Sequence, residues 1–178
     1  DAYQHLAKTI SQGKDTLDEL RSTLTELNDI YYKSGNENAQ VLIASIEKSL
    51  VDQEASQRGY LITGQDSFLK PFSEGHTQFV KYIARLKNLI ENAYQKDYAL
   101  EKIESIESAL RMWHLKSAEI EISARKEINK TGLSPLEFLQ RLIVTGVEND
   151  NLNSIKSIML KIQNTLNQDE KIIGERLA

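Results

Sequence analysis

Apolar residues return along this chain at alternating gaps of three and four. In the first segment Tyr3, Leu6, Ile10, Leu17, Leu20, Leu24, Leu27 and Tyr31 keep that rhythm, with Gly13 as its one gap. Such spacing is the seam of a coiled coil or a helical bundle, and a glycine on it suits a close approach between helices. Ser34-Gly35-Asn36-Glu37-Asn38 breaks the phase, so the chain forms either a turn there or a kink in one long helix. A second register, Ala39, Ile43, Ile46, Leu50, Gln53, Gln57 and Tyr60, ends at Thr63-Gly64, where Gly64 suits the left-handed C′ position. Asp66 or Ser67 is placed to cap the next helix, and Pro71 suits its first turn. The third register reads Phe72, His76, Phe79, Ile83, Leu86, Ile90 and Ala93. After a turn over 92–97 the fourth reads Ala99, Ile103, Ile106, Leu110, Trp113, Ser117, Ile120 and Ala124. Residues 131–137 are a stop and a restart: Gly132 ends a helix, Ser134 is an N-cap, Pro135 sits at N1 and Glu137 completes a capping box. A last register, Leu152, Ile155, Met159, Ile162, Leu166, Asp169, Ile173 and Arg176, follows an expected kink at 146–151.

These registers predict an all-α fold: an elongated up-down four-helix bundle with long N- and C-terminal helices, in a single domain over 1–178. Residues 1–33 form a heptad stalk or first helix. The third stretch, about 24 residues, would be ~36 Å long, and the first two registers laid end to end would be much longer. That mismatch predicts a four-helix head on a two-helix stalk, which a second copy completes as a homodimer through the first heptad. An even number of passes returns the C-terminus to the end where the chain entered.

Composition narrows the picture. Two prolines and eight glycines in 178 residues leave little to interrupt long helices. Hydrophobic residues at 40% and charged residues at 27% exclude a disordered chain. The net charge of −4 comes from interleaved signs, without the basic tract a nucleic-acid partner requires or the basic face of a membrane-surface helix. The absence of cysteine excludes disulfides and thiolate chemistry. No run reaches the ~18 apolar residues that span a bilayer. The first residue is Asp1, and helical rhythm persists through 166–178. Both features fit a segment trimmed from a longer protein, between two membrane helices or at another boundary.

The most distinctive stretch is Asp52-Gln53-Glu54-Ala55-Ser56-Gln57-Arg58-Gly59-Tyr60-Leu61-Ile62-Thr63-Gly64. Gln53 and Gln57 occupy seam positions, and Glu54 and Arg58 are spaced to pair on one helix face. Gly59 inside a helix costs up to ~1 kcal/mol relative to Ala, which close packing of another helix would offset. With Phe68-Leu69-Lys70-Pro71-Phe72, this run resembles the CHASE sensory domains of the third type (cyclases/histidine kinases associated sensory extracellular). The matching positions are Asp52, Glu54, Arg58, Gly59, Tyr60, Leu61, Thr63, Gly64, Phe68, Leu69, Pro71 and Phe72. Trp113, Ile155-Lys156, Asp169-Glu170 and Arg176 continue the likeness, which covers roughly 38–178. Ile62 and Lys156 stand where the family more often has Leu and Arg. The resemblance implies a helical input domain between two transmembrane helices, on the extracytoplasmic or periplasmic side of a bacterial cell-membrane receptor. Such domains serve histidine kinases, cyclases and chemoreceptors, and a histidine kinase is the first expectation here. The implied partner is a small-molecule or protein ligand.

Each singled-out residue also has a plain structural reading. Glu54 and Arg58 form either a register-fixing internal ion pair or a recognition site in which Arg58 grips a carboxylate or phosphate. Tyr60 reads as a packed ring with a bonded hydroxyl, Trp113 as core, His114 as surface just off the seam, and His76 as a seam histidine. His5, His76 and His114 lack metal-ligand spacing. No nucleophile–base pair and no phosphate loop is present, so the expectation is a non-catalytic domain without cofactor. A dimerising or partner-binding helical module is the alternative. Asp169 and Arg176 would form a polar layer near the membrane end.

Overall fold

A computed structural model describes residues 2–93 and 95–148, and among them every regular element is helical. The α-helices are α1 (Ala2–Ser34), α2 (Glu37–Thr63), α3 (Leu69–Leu89), α4 (Lys96–Trp113), α5 (Glu119–Asn129) and α6 (Pro135–Glu148). A 3₁₀ turn, Asp66–Phe68, leads into α3, and a π-helical segment, His114–Ala118, joins α4 to α5.

The break after Ser34 is a turn. Gly35 takes φ 72°, which glycine adopts without strain. Asn36 then caps α2 by accepting the Ala39 N–H at 3.1 Å. Helices α1 and α2 run antiparallel, with Leu6 and Ile10 beside Leu61 at one level and Arg21 beside Glu54 at another. The first two registers are therefore not laid end to end, and α1 is not a free stalk. Its seam from Leu6 to Tyr31 is buried within its own chain. A dimer through that heptad, as the sequence suggests, would have to displace these internal partners.

Helices α4 and α5 form one rod, antiparallel to α1. Ser117 faces Gly13, and Lys102 bonds Glu26 at 2.7 Å farther along. At 1.5 Å per residue, the 33 residues of α1 make a rod about 50 Å long. One core cluster follows the bundle from Leu17, Leu20 and Leu24 of α1 through Ile43, Phe79 and Ile83 to Ile103 and Ile106. Each such side chain contributes roughly 1.5–3 kcal/mol by leaving water.

The start of α3 differs from expectation. Neither Asp66 nor Ser67 caps it; no side-chain cap bond is made at Phe68. The 3₁₀ bond from Phe68 N–H to Gln65 O, at 3.2 Å, already occupies an early donor. The α3 seam passes through Gly75 rather than His76, which is exposed. A Cβ on Gly75 would lie 2.8 Å from Gln53 Cγ and 3.3 Å from Ser49 O, so α2 and α3 meet too closely there for a side chain.

The restart at Gly132 and Ser134 forms as the sequence predicts. Ser134 Oγ accepts the Glu137 N–H at 3.2 Å. Helix α6 folds back on the four-helix bundle as a fifth segment, burying Phe138 and Leu142 with Leu6, Ala7, Ile10 and Leu61. Helix α6 continues to Glu148. The rest of the expected kink, the register from Leu152 onward and the predicted polar layer of Asp169 and Arg176 lie outside the described residues.

The π-helical segment decides what enters the core. A π turn holds one extra residue, here closed by Glu119 N–H on His114 O. One residue is about 100° of rotation, so the seam shifts by one position beyond Trp113. His114 turns inward to 8% exposure rather than lying on the surface. Farther on, Glu121, Ile122 and Arg125 are buried, while Ile120 and Ala124 are only half-buried. Two charged side chains thus take the places that an unbroken α register gives to apolar ones.

Candidate functional site

Most of the buried polar residues form a layer across α1, α2 and the π-bulged rod. Glu54, on α2 and buried, pairs with Arg58 one turn later and with Arg21 of α1. One carboxylate therefore holds two guanidinium groups, and the ion pair fixes α1 against α2 as well as the local turn. The burial of Glu54 is tolerated because both its oxygens meet cations. Lys14 and Asp18 (3.0 Å) and Asp18 and Arg21 (3.7 Å) extend the charges to the surface of α1.

Gln53 and Gln57 reach across to the rod. Gln53 Nε2 donates to Ser49 O at 3.2 Å, which leaves its Oε1 to accept from His114 Nε2 at 2.8 Å. This arrangement requires the tautomer protonated at Nε2. His114 stacks on Phe72 (5.1 Å between centroids), meets Trp113 edge-on and lies 4.4 Å from the His76 ring. Burial, and next the charge of His76, lower its pKa to about 4, so it is neutral in this setting. Gln57 Nε2 donates to Glu121 Oε1 at 3.2 Å. Burial drives the Glu121 pKa up to about 7, against the lowering effects of Gln57, Arg58 and Thr9.

A second cluster closes the end of α2. Gly64 adopts φ 66° and its N–H bonds Tyr60 O at 2.7 Å. The last carbonyls of a helix lack intrahelical partners, and Arg125 of α5 supplies them. Its Nε donates to Leu61 O at 2.8 Å and its Nη2 to Ile62 O at 3.5 Å, while Nη1 donates to Asn129 Oδ1 at 2.9 Å. Asn129 Nδ2 reaches Gly64 O (3.1 Å) and the Tyr60 hydroxyl (3.4 Å). The Arg125 guanidinium lies 4.3 Å from the centre of the Phe138 ring on α6. A cation at a helix C-terminus also meets the negative end of the helix dipole.

The motif residues thus divide. Glu54 and Arg58 belong to the charged layer; Tyr60, Thr63 and Gly64 form the α2 terminus, where Thr63 Oγ1 bonds Gly59 O at 2.6 Å. Gly59 is needed for the Phe68 ring, not for a neighbouring helix: an added Cβ would lie 2.9 Å from Phe68 Cζ and nearer still to two other ring atoms. Trp113 is buried over Gly13 and edge-on to Phe72. Asp52 stands apart, exposed and 3.5 Å from Lys48, on an open groove of about 540 Å³ between α2 and α3 that Glu74, Gln78 and Tyr82 also line. Within the charged layer the free space is only about 30 Å³, room for about one or two waters.

Arg21, His114, Glu121, Arg125 and Asn129 are absent from the sequence-derived site. Glu121 and Arg125 share an i, i+4 spacing, the one signal available, but the unbroken register places them outside.

A family model described as CHASE3 domain matches residues 33–170. The match takes in the whole 52–64 motif, Trp113 and Asp169-Glu170, and stops short of Arg176. Comparison with curated proteins and with solved structures finds no match.

Proposed function

This chain belongs to the CHASE3 domain family, and on that premise we propose that it is the signal-input domain of a bacterial sensor histidine kinase. CHASE3 domains are extracellular sensory domains of signalling receptors and are not themselves catalytic. Among the described residues, no helix is long and apolar enough to cross a membrane. The anchoring helices of the receptor would flank the domain, placing it on the periplasmic or extracellular side. A chemoreceptor or a diguanylate cyclase is the alternative output.

The observation that carries this reading is the charged layer. Glu54 ties α1 to α2 through Arg21, and Gln57 ties α2 to the rod through Glu121. A ligand that binds one arrangement of these helices more tightly than another shifts the balance between them. Packed helices exchange between discrete arrangements, so a small displacement is transmitted along α1. The layer is too full for an organic ligand, so the open α2–α3 groove is the favoured small-molecule site. A thermal-shift screen with amino acids, organic acids and nucleotides tests this. Reproducible stabilisation by one compound, lost on substituting Asp52 or Gln78 at the groove, supports small-molecule sensing. A flat screen would favour the alternative, a module that binds a protein partner or a second copy.

A further inference from the structure

Glu54 meets a cation at each of its oxygens, whereas Glu121, the other buried carboxyl of the layer, has one oxygen that meets no partner among the described residues. Glu121 projects from α5 into the 30 Å³ space bounded by Ile10, Gly13 and Lys14 of α1, Gln57 and Arg58 of α2, and Trp113. Its Oε1 accepts from Gln57, whereas its Oε2 has no hydrogen-bond partner among the described residues. Thr9 lies beside it, close enough to favour the ionised form, but its one hydroxyl proton is donated to Leu6 O at 2.9 Å. A carboxylate in this position lacks a partner for one oxygen. A carboxylic acid has a proton to donate and no charge to solvate.

We propose that Glu121 is a proton-binding site at the junction of α1, α2 and α5, and that its protonation state sets how closely these helices pack.

Charges facing the site come from each packed element. Helix α1 presents Lys14, held by Asp18, with Arg21 beyond it. Helix α2 presents Glu54 and Arg58, which pair with each other, and the Arg58 charge also acts on Glu121. The rod contributes Trp113 and, one turn from Glu121, Arg125, whose guanidinium is committed to Leu61 O. Two flanking cations, Arg58 and Lys14, make the space unsuitable for a metal ion, and its volume excludes an organic ligand. The proton is the ligand that fits.

In the acid form the cluster stays dry and α5 lies against α1. In the ionised form the unpartnered oxygen draws water, or one of the two cations, into the space, which requires α5 to move outward. The pKa near 7 places this exchange in the range an extracytoplasmic domain meets. The proposal concerns the folded domain alone and holds whichever output module follows.

The chain has one tryptophan, Trp113, and it lines the same space. Its emission in the full 178-residue chain should therefore shift to longer wavelength as pH rises from 5.5 to 8.5, with a midpoint near 7. Glu121→Gln should remove the shift. A shift that survives in Glu121→Gln would belong to another group and overturn the proposal, as would an unchanging wild-type spectrum. A carboxyl ¹³C titration of the wild-type chain, labelled at glutamate, needs no variant. One glutamate resonance should titrate near 7, and a set of glutamates all titrating in the ordinary range would refute the site. Between pH 4.5 and pH 8, the unfolding constant of the wild type should rise relative to Glu121→Gln by on the order of a hundredfold.

Discussion

Replacing Arg125 by methionine keeps the length of the side chain and removes its charge and all its donors. A buried cation is often exchanged for an apolar residue without loss, because its counter-ion leaves with it. Here the partners cannot leave. Leu61 O and Ile62 O are backbone carbonyls at the end of α2, and they lose donors at 2.8 and 3.5 Å. A hydrogen bond from a charged group contributes about 1.5–3 kcal/mol, and a buried acceptor left bare costs about 1–3 kcal/mol. The Asn129 bond at 2.9 Å and the stacking on Phe138 are lost as well. Methionine recovers part of this by packing against Phe138. The net expectation is a destabilisation of about 2–4 kcal/mol, which lowers the melting temperature by roughly 5–15 °C for a chain of this size. Urea unfolding at pH 7.5 should show a lower midpoint with an unchanged slope. Arg125→Lys, which restores charge but not the fork, should recover less than half of the loss. A methionine variant within about 0.5 kcal/mol of wild type would show that the α2 carbonyls are satisfied by water, and would refute the role assigned to Arg125.

Other substitutions test the rest of the layer. Arg58→Ala should cost about 1 kcal/mol, since Arg21 still neutralises Glu54, whereas removing both arginines should cost about 3–5 kcal/mol, more than the sum of the single changes; additive effects in urea melts would argue against a shared carboxylate. If Arg58→Ala is as stable as wild type yet fails to bind a ligand found by the screen, Arg58 is a recognition residue instead. Gly64→Ala should lose about 2 kcal/mol, because a Cβ at φ 66° is strained and would strike Asn129 Oδ1 and approach Arg125 Nη2 to 3.0 Å; a gain in melting temperature would contradict this. Stability against pH carries two opposed contributions. Glu121, with a folded-state pKa raised to about 7, binds more protons folded than unfolded, so it contributes stability below the unfolded carboxylate range that is lost, by about 3 kcal/mol, as pH rises to 7. His114, lowered to about 4, acts in the reverse sense, and its contribution is lost as pH falls from 6.5 to 4. Calorimetry should show that Glu121→Gln loses stability in acid more steeply than wild type, where the two partly cancel; parallel curves would refute the Glu121 assignment.

Much of this architecture is legible in the sequence. Alternating gaps of three and four define the buried faces of α1 and α2, because a helix must hide a continuous apolar stripe. Gly64, Ser134 and Pro135 mark ends that local backbone chemistry alone requires, and the 52–64 motif is sufficient to suggest the family. Other features depend on what arrives from elsewhere in the chain. Whether Gly35 turns or kinks the backbone was settled by the burial of the α1 seam against α2. Gly59 exists for a ring nine residues away, a contact that helical periodicity does not express. Above all, the π segment at His114–Ala118 rotates the rod by one residue, because only that rotation brings His114 to Gln53, Glu121 to Gln57 and Arg125 to the open carbonyls of α2. A repeat of apolar positions assumes an unbroken α-helix, and the energy that breaks it here lies in polar contacts between residues about sixty positions apart.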